Sequence, residues 1–362
     1  MKVITIVGAR PQFIKAAALS RKIRQHFNEI LVHTGQHYDA NMSELFFNEL
    51  NIPRPDYNLN VGSASHAKQT GEMMIKIEEI LLKEKPDGIL VYGDTNSTLA
   101  GALAASKLLI PIFHIEAGLR SYNMNMPEEQ NRILTDRLSK ILFCPTEAAV
   151  DNLTKEGISS GVYNVGDVMC DAVLFYSNEL DKYDKKYFQD RLIGLFEEVR
   201  PFDRWYIATI HRAENTDDIS KISEILKAFE QFDAPVLFPV HPRTKSLVSM
   251  LRENHNYKNI IFVEPFGYLD MLFFAKNAVK VVTDSGGLQK EAYILGTPCV
   301  TVRDQTEWVE TLNGNNNILC KPCSEELLQK ININYIDKNV YPYYGDGNAA
   351  GRICEIMRTE LR

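Results

Sequence analysis

The feature that most constrains this chain is an alternation repeated along nearly its whole length. Short β-branched runs, each ending near Gly, Asp, Thr, Glu or Pro, are followed by amphipathic helical stretches. This pattern predicts parallel sheets covered by helices on both faces. The fold class is therefore α/β. In the first half the predicted strands are Lys2 to Val7, Ile30 to Thr34, Gly88 to Tyr92, Ile112 to Ile115, Ile141 to Phe143 and Val162 to Val165. A polar stretch from Asn178 to Asp203 follows, and then the pattern restarts with Tyr206 to Thr209, Val236 to Pro239, Ile260 to Val263, Val279 to Thr283 and Cys299 to Val302. A restart in a chain of 362 residues, longer than one hydrophobic core usually encloses, marks a second domain. The expected division is 1–167 and 168–344, with a hinge near Gly166-Asp167 and a terminal helical segment at 345–362.

Charge and composition exclude several functions. A net charge of −7 lacks the cationic surplus that a phosphate backbone demands, so no nucleic-acid partner is expected. No apolar run approaches a membrane span, and Met1 to Val7 passes straight into a glycine turn with no leader cleavage site, so a cytoplasmic protein with no membrane partner is expected. The cysteines mostly sit in apolar runs such as Ile141-Leu142-Phe143-Cys144, where a thiol is a small hydrophobe. Cys320-Lys321-Pro322-Cys323 has redox or zinc spacing but no second ligand pair, and no metal site is expected. Gly345, Gly347 and Gly351 imitate a dinucleotide fingerprint without a preceding strand, and read as a loop and a terminal helix.

Chemistry-bearing motifs stand at strand-to-helix junctions, where loop amides and helix N-termini converge. After the first strand, Gly8-Ala9-Arg10-Pro11-Gln12-Phe13-Ile14-Lys15 places Arg10 and Lys15 near a helix start, a setting for an anion. In the second half, Thr283-Asp284-Ser285-Gly286-Gly287 opens a helix whose amides at Ser285, Gly286 and Gly287 suit a diphosphate. Glu291, one turn on, suits the two hydroxyls of a ribose. Asp94 and Glu116 end successive strands, and Pro127-Glu128-Glu129 opens a helix that also carries Arg132. Singly these acids are caps or loop residues; as a cluster they suggest acid–base work. His211 and His241 each follow a strand of the second half, where an imidazole can neutralise a leaving group near pH 7.

With these residues assembled, the chain resembles the non-hydrolysing UDP-N-acetylglucosamine 2-epimerase family. The stretches that carry the resemblance are Gly8 to Lys15, Thr34-Gly35-Gln36-His37, Gly93-Asp94-Thr95, His114 to Arg120, Pro127-Glu128-Glu129, His211-Arg212, Asp284 to Glu291 and Tyr344-Gly345-Asp346-Gly347. It implies two Rossmann-like domains facing a cleft, like those of glycosyltransferase-B proteins, a terminal helix returning to the first domain, and a homodimer. It implies no cofactor: UDP leaves by anti elimination to a 2-acetamidoglucal, then adds back while the proton arrives on the other face. Carried over residue by residue, Asp94, Glu116 and Glu128 are acid–base candidates with His211 near the diphosphate. Arg10, Ser285, Gly286, Gly287 and Glu291 are the UDP-binding candidates, while Lys15 and Arg132 line the sugar pocket.

The chain departs from the family pattern at Gln36-His37-Tyr38-Asp39-Ala40-Asn41-Met42, at His211-Arg212-Ala213-Glu214 and at Thr306-Glu307-Trp308-Val309-Glu310. These variants look like the branch acting on UDP-2,3-diacetamido-2,3-dideoxyglucuronate, which stands beside UDP-GlcNAc as a candidate substrate. A hydrolysing epimerase and a transferase of the same fold are the competing functions.

Overall fold

Lys2–Val7 forms β1, whose last five residues are buried. A strand buried on both faces belongs inside a covered parallel sheet, and β1 indeed pairs in parallel with β2 (Asn28–His33) on one side. The computed structural model describes residues 1–36, 50, 52–334 and 343–361. The chain divides into two compact units, Met1–Ala172 with Pro342–Arg362, and Val173–Tyr341.

In the first unit, β3 (Tyr57–Asn58), β4 (Gly88–Tyr92), β5 (Ile112–Ile115), β6 (Ile141–Cys144) and β7 (Val162–Asn164) complete a seven-stranded sheet in the order β3-β2-β1-β4-β5-β6-β7. Its pairings are parallel. The helices of this half are α1 (Arg10–Ile23), α2 (His66–Glu84), α3 (Asn96–Lys107), α4 (Pro127–Leu138), α5 (Glu147–Lys155) and α6 (Val168–Leu180). Strand order reverses between β1 and β4, and the crevice at such a switch point lies beyond the carboxyl ends of those strands. Gly8 and Gly93 stand at those two ends.

The second unit repeats the plan with β8 (Tyr206–Thr209), β9 (Val236–Pro239), β10 (Ile260–Val263), β11 (Val281–Thr283), β12 (Cys299–Val302) and β13 (Asn317–Cys320). The order β10-β9-β8-β11-β12-β13 puts its reversal between β8 and β11. Its helices are α7 (Lys185–Gln189), α8 (Ala213–Thr216), α9 (Ile219–Phe229), α10 (Pro242–Asn254), α11 (Tyr268–Lys276), α12 (Gly286–Leu295) and α13 (Ser324–Ile331). A core of β-branched and aromatic side chains, among them Ile225, Phe229, Phe238 and Val300, fills the space under α9.

The chain passes from the first unit to the second inside α6, beyond Gly166-Asp167. The first turn of α6 stays with the first unit because it is tied to the terminal segment. The Asp167 N–H donates to the Tyr344 carbonyl, and the Asp171 carboxylate accepts the N–H groups of Ala349 and Ala350 at 3.0 and 2.8 Å. Those amides open α14 (Ala349–Glu360), so Asp171 satisfies donors that a helix start leaves without partners. The strands Tyr57–Asn58 and Asn317–Cys320 are additions to the sequence reading. All six cysteines are free, and Cys320 lies buried at the end of β13. Among the described residues no helix is long and apolar enough to cross a membrane, and no group of three or more His, Cys, Asp or Glu could hold a metal ion.

Candidate active site

Gln12 organises the first switch point. Its side-chain oxygen accepts the N–H groups of Gly8 and Ala9 at 2.8 and 3.0 Å, and its amide nitrogen donates to the Tyr92 carbonyl at 2.7 Å. One buried side chain thus ties the loop after β1 to the loop after β4. It also engages two amides of the Gly8 loop, leaving Arg10 and Lys15 as the cationic groups nearest that turn. Gly8 is required for close approach: a Cβ would stand 2.1 Å from Thr34 Oγ1 and 2.2 Å from Ser97 Oγ.

Arg10 is half-buried at the start of α1, and Lys15 is buried one turn further. Lys15 is ion-paired to Glu116 at the end of β5 rather than left open for an anion. Glu116 follows its strand with φ +68, a left-handed conformation rare for a side-chain-bearing residue. Lys15 and Glu116 line a pocket with Phe143, Val165, Gly166 and Ile353.

Asp94 follows Gly93 at the end of the adjacent strand, and Arg132 of α4 donates to it at 2.5 Å. Burial pushes the Asp94 carboxyl above its usual range; Arg132 and Lys15 pull it down, while Glu116 and Glu128 push it further up. The three candidate acids therefore share one electrostatic neighbourhood. Glu128 is exposed on the first turn of α4. Its neighbour Glu129 is buried and accepts the N–H groups of Ser121 and Tyr122, each at 2.9 Å, as well as Arg132 at 2.9 Å. Glu129 thus shapes the loop before α4.

Sequence reasoning missed Asp136, which lies on the inner face of α4 with Glu129 and Arg132. It pairs with His114 and Arg120, both buried. Spacing alone did not give it away: Glu129, Arg132 and Asp136 recur at helical spacing, but only the structure shows them buried and Leu134 exposed, so that α4 turns a charged stripe inward.

In the second unit the loop after β8 is clamped from below. Asp284 at the end of β11 is fully buried and accepts the N–H groups of His211 and Arg212 as well as the side-chain amide of Asn215. His211 is half-buried, its Nδ1 lies 3.5 Å from Asp284, and its ring stands 5.2 Å from that of His241. His241 itself caps α10 by accepting the Arg243 N–H.

Ser285 caps α12. Its hydroxyl accepts the Leu288 N–H, and its own N–H donates to Thr283 Oγ1. The Ser285 amide is therefore already engaged, whereas those of Gly286 and Gly287 find no acceptor among the described residues. Two such donors at the positive end of a ten-residue helix are of the kind that an anion can engage. Glu291 is buried one turn on. Trp308, where the chain departs from the family pattern, packs beneath Lys290, whose ammonium is 3.8 Å from the ring centre. Glu307 is held below the usual carboxylate range: burial opposes this, but Arg303 and Arg212 outweigh it. The departures at positions 37–42 lie outside the described residues.

A family model described as UDP-N-acetylglucosamine 2-epimerase matches residues 21–358. The chain belongs to this epimerase family. It is accordingly an isomerase, and both of its units are α/β in the manner of the family's solved structures. It is 53% identical over 363 residues to a UDP-N-acetylglucosamine 2-epimerase homolog of Methanococcus maripaludis, covering 99% of each chain. It is 48% identical over 368 residues to the UDP-2,3-diacetamido-2,3-dideoxy-D-glucuronate 2-epimerase of Pseudomonas aeruginosa, again over 99% of each. Among solved structures, the UDP-GlcNAc 2-epimerase of Methanocaldococcus jannaschii in complex with UDP-GlcNAc and UDP superposes with a TM-score of 0.87 at 41% identity, covering 99% of this chain and 100% of that one.

Proposed function

We propose that this epimerase interconverts UDP-GlcNAc and UDP-ManNAc without hydrolysis, by anti elimination of UDP and its readdition through a 2-acetamidoglucal. The observation that carries the reading is the pairing of Asp94 and Glu116 at the ends of adjacent strands, each against a buried cation, with Asp94 held above the ordinary carboxylate range. The hydrogen on C2 of a hexose has no neighbouring carbonyl to acidify it. Inversion then requires oxidation of a neighbouring carbon or expulsion of the anomeric group.

Expulsion matches the groups present. A base removes the C2 proton, the C2–H electrons form the C1–C2 double bond, and the C1–O bond breaks to release UDP. Readdition of UDP at C1 with proton delivery to the opposite face of C2 gives the epimer. Asp94, Glu116 and Glu128 are the groups we assign to these two proton transfers, coupled through their shared field. Arg10, His211 and the Gly286 and Gly287 amides hold and neutralise the diphosphate, Ser285 presets that helix start, and Glu291 takes the ribose. Lys15 and Arg132 orient the acids toward the sugar. The reading extends to a cytoplasmic homodimer supplying surface-polysaccharide synthesis, and sedimentation of the purified protein tests the dimer.

A second reading, the same chemistry on UDP-2,3-diacetamido-2,3-dideoxyglucuronate, is favoured by the 48% identity to the Pseudomonas enzyme. Incubation with each nucleotide sugar in heavy water decides between them. The true substrate gains deuterium at C2 and settles into a two-sugar equilibrium. Free UDP and free sugar as sole end products would overturn the non-hydrolysing reading.

A further inference from the structure

Asp136 lies outside the groups assigned above, yet it is tied to both loops that carry the candidate acids. His114 Nδ1 stands 2.7 Å from its Oδ1, Arg120 lies 2.8 Å from Oδ2, and the Gly118 N–H donates to Oδ2 at 3.2 Å. The other ring nitrogen of His114, Nε2, stands 2.8 Å from the Gly93 carbonyl. A carboxylate and a carbonyl are both acceptors, so the His114 ring bridges the Asp136 side chain to the Gly93 backbone. Burial alone pushes the Asp136 carboxyl up; His114 and Arg120 outweigh it and hold the group below the usual range.

Both loops require such anchoring. Gly93, Glu116 and Gly118 all have positive φ, at 61, 68 and 80°. Glu116 has a Cβ, so its left-handed conformation costs free energy and persists only where the surroundings enforce it. Gly118 is wedged as well: a Cβ there would meet the Ala149 carbonyl oxygen at 2.4 Å. Asp94 directly follows Gly93, and Glu116 is two residues before Gly118.

We infer that Asp136 is a positioning residue for the epimerisation, setting Asp94 through His114 and Gly93, and Glu116 through Gly118 and Arg120. The inference rests on the proposed acid–base reading, since it concerns how those acids are aimed. A single buried carboxylate thereby fixes the spacing of two proton-transferring groups.

The test is steady-state kinetics of Asp136→Asn with UDP-GlcNAc, or with the diacetamido-uronate nucleotide if that is the substrate. Thermal unfolding and UDP calorimetry are run alongside. The kcat is expected to fall about 100-fold, the loss brought by an ångström-scale misplacement, with KM and UDP affinity changed less than about twofold. A kcat within about threefold of wild type would overturn the inference.

Where Asp136→Asn does not fold, a pair of variants at His114 decides. Gln places an amide where Nε2 stood and keeps the donor to Gly93; Asn mimics Nδ1 and loses it. At matched thermal stability, His114→Gln should retain about tenfold more kcat than His114→Asn, and equal losses would overturn the relay. Asp94→Asn in the same assay separates the two levels. Full activity there defeats the acid–base reading itself, whereas an inactive Asp94→Asn beside an active Asp136→Asn defeats only the positioning role.

Discussion

Asp284 lies directly beneath His211, and its carboxylate accepts the His211 N–H at 3.0 Å and the next amide, that of Arg212, at 2.9 Å. Because Asp284 is fully buried, removing its carboxylate takes from these amides the acceptor the fold provides. Asp284→Ala should cost about 3 kcal/mol of stability, the penalty for orphaned buried donors, and should weaken UDP binding by freeing the His211 loop. Thermal unfolding and UDP calorimetry read the two effects. Unchanged UDP affinity in a destabilised variant would separate the loop from nucleotide binding.

The three candidate acids differ in what else they support. Glu128 is exposed, so Glu128→Gln should leave stability within about 0.5 kcal/mol while lowering kcat by about 100-fold. Glu116→Gln breaks a buried ion pair with Lys15 and should cost about 3 kcal/mol in addition to a similar loss of turnover. Epimerisation rates and unfolding curves on the same preparations check both. Near-normal turnover in Glu128→Gln would remove it from the proton-transfer set.

Arg132 is shared by two carboxylates that respond to acid in opposite senses. Burial opposes ionisation of Glu129, but the amides of Ser121 and Tyr122 together with Arg132 prevail and hold it below its ordinary 4.5. Its contribution to stability is present above that ordinary value and is lost as pH falls through the folded one. Asp94 is held above its ordinary 3.8, chiefly by burial, so its contribution is complete below 3.8 and is lost as pH rises through the folded value. Denaturant unfolding between about pH 3 and pH 6 should show Glu129→Gln flattening the acid-side fall, and Asp94→Asn abolishing a loss on the rising side. Shifts of the same sign in both variants would contradict the assignment.

Two glycines offer a contrast. Gly8→Ala drives a methyl into Thr34 and Ser97 and should destabilise by about 2 kcal/mol or more. At Gly287 the nearest neighbour of a new Cβ is Ser285 Oγ at 3.8 Å, and alanine favours a helix, so Gly287→Ala should be neutral or stabilising by up to about 1 kcal/mol. If Gly287 seats the diphosphate, that same variant should lose about tenfold in UDP affinity, since its methyl occupies the approach of the phosphate oxygens. Wild-type affinity would move the diphosphate off this helix.

Strands announced themselves where buried runs of four to six residues met a turn residue, as in Lys2–Val7 or Tyr206–Thr209. Tyr57–Asn58 is only two residues long and has no alternation to detect. Asn317–Cys320 follows an Asn-rich turn, and its final cysteine reads as half of a Cys-x-x-Cys pair. The switch-point logic carried Asp94, Glu116 and the Gly286 turn to their places, because loops at the ends of neighbouring parallel strands must converge. Asp136 escaped for the opposite reason. It sits within a helix, where patterning assigns charged residues to solvent, and only the partners His114 and Arg120 reveal that this stripe faces inward. The engagement of the Ser285 amide by Thr283 was equally invisible, since it depends on a side-chain rotamer.

The bond from Asp171 to the first amides of α14 has a consequence for how the molecule is made. The first compact unit is discontinuous in the chain, and its closing helix follows the whole of the second unit in sequence. During translation every residue of the second unit has been polymerised before the helix that caps against Asp171 exists. The first unit therefore has all its parts only after the second unit has been made, and until then the Asp171 carboxylate lacks the α14 amides it accepts in the finished fold.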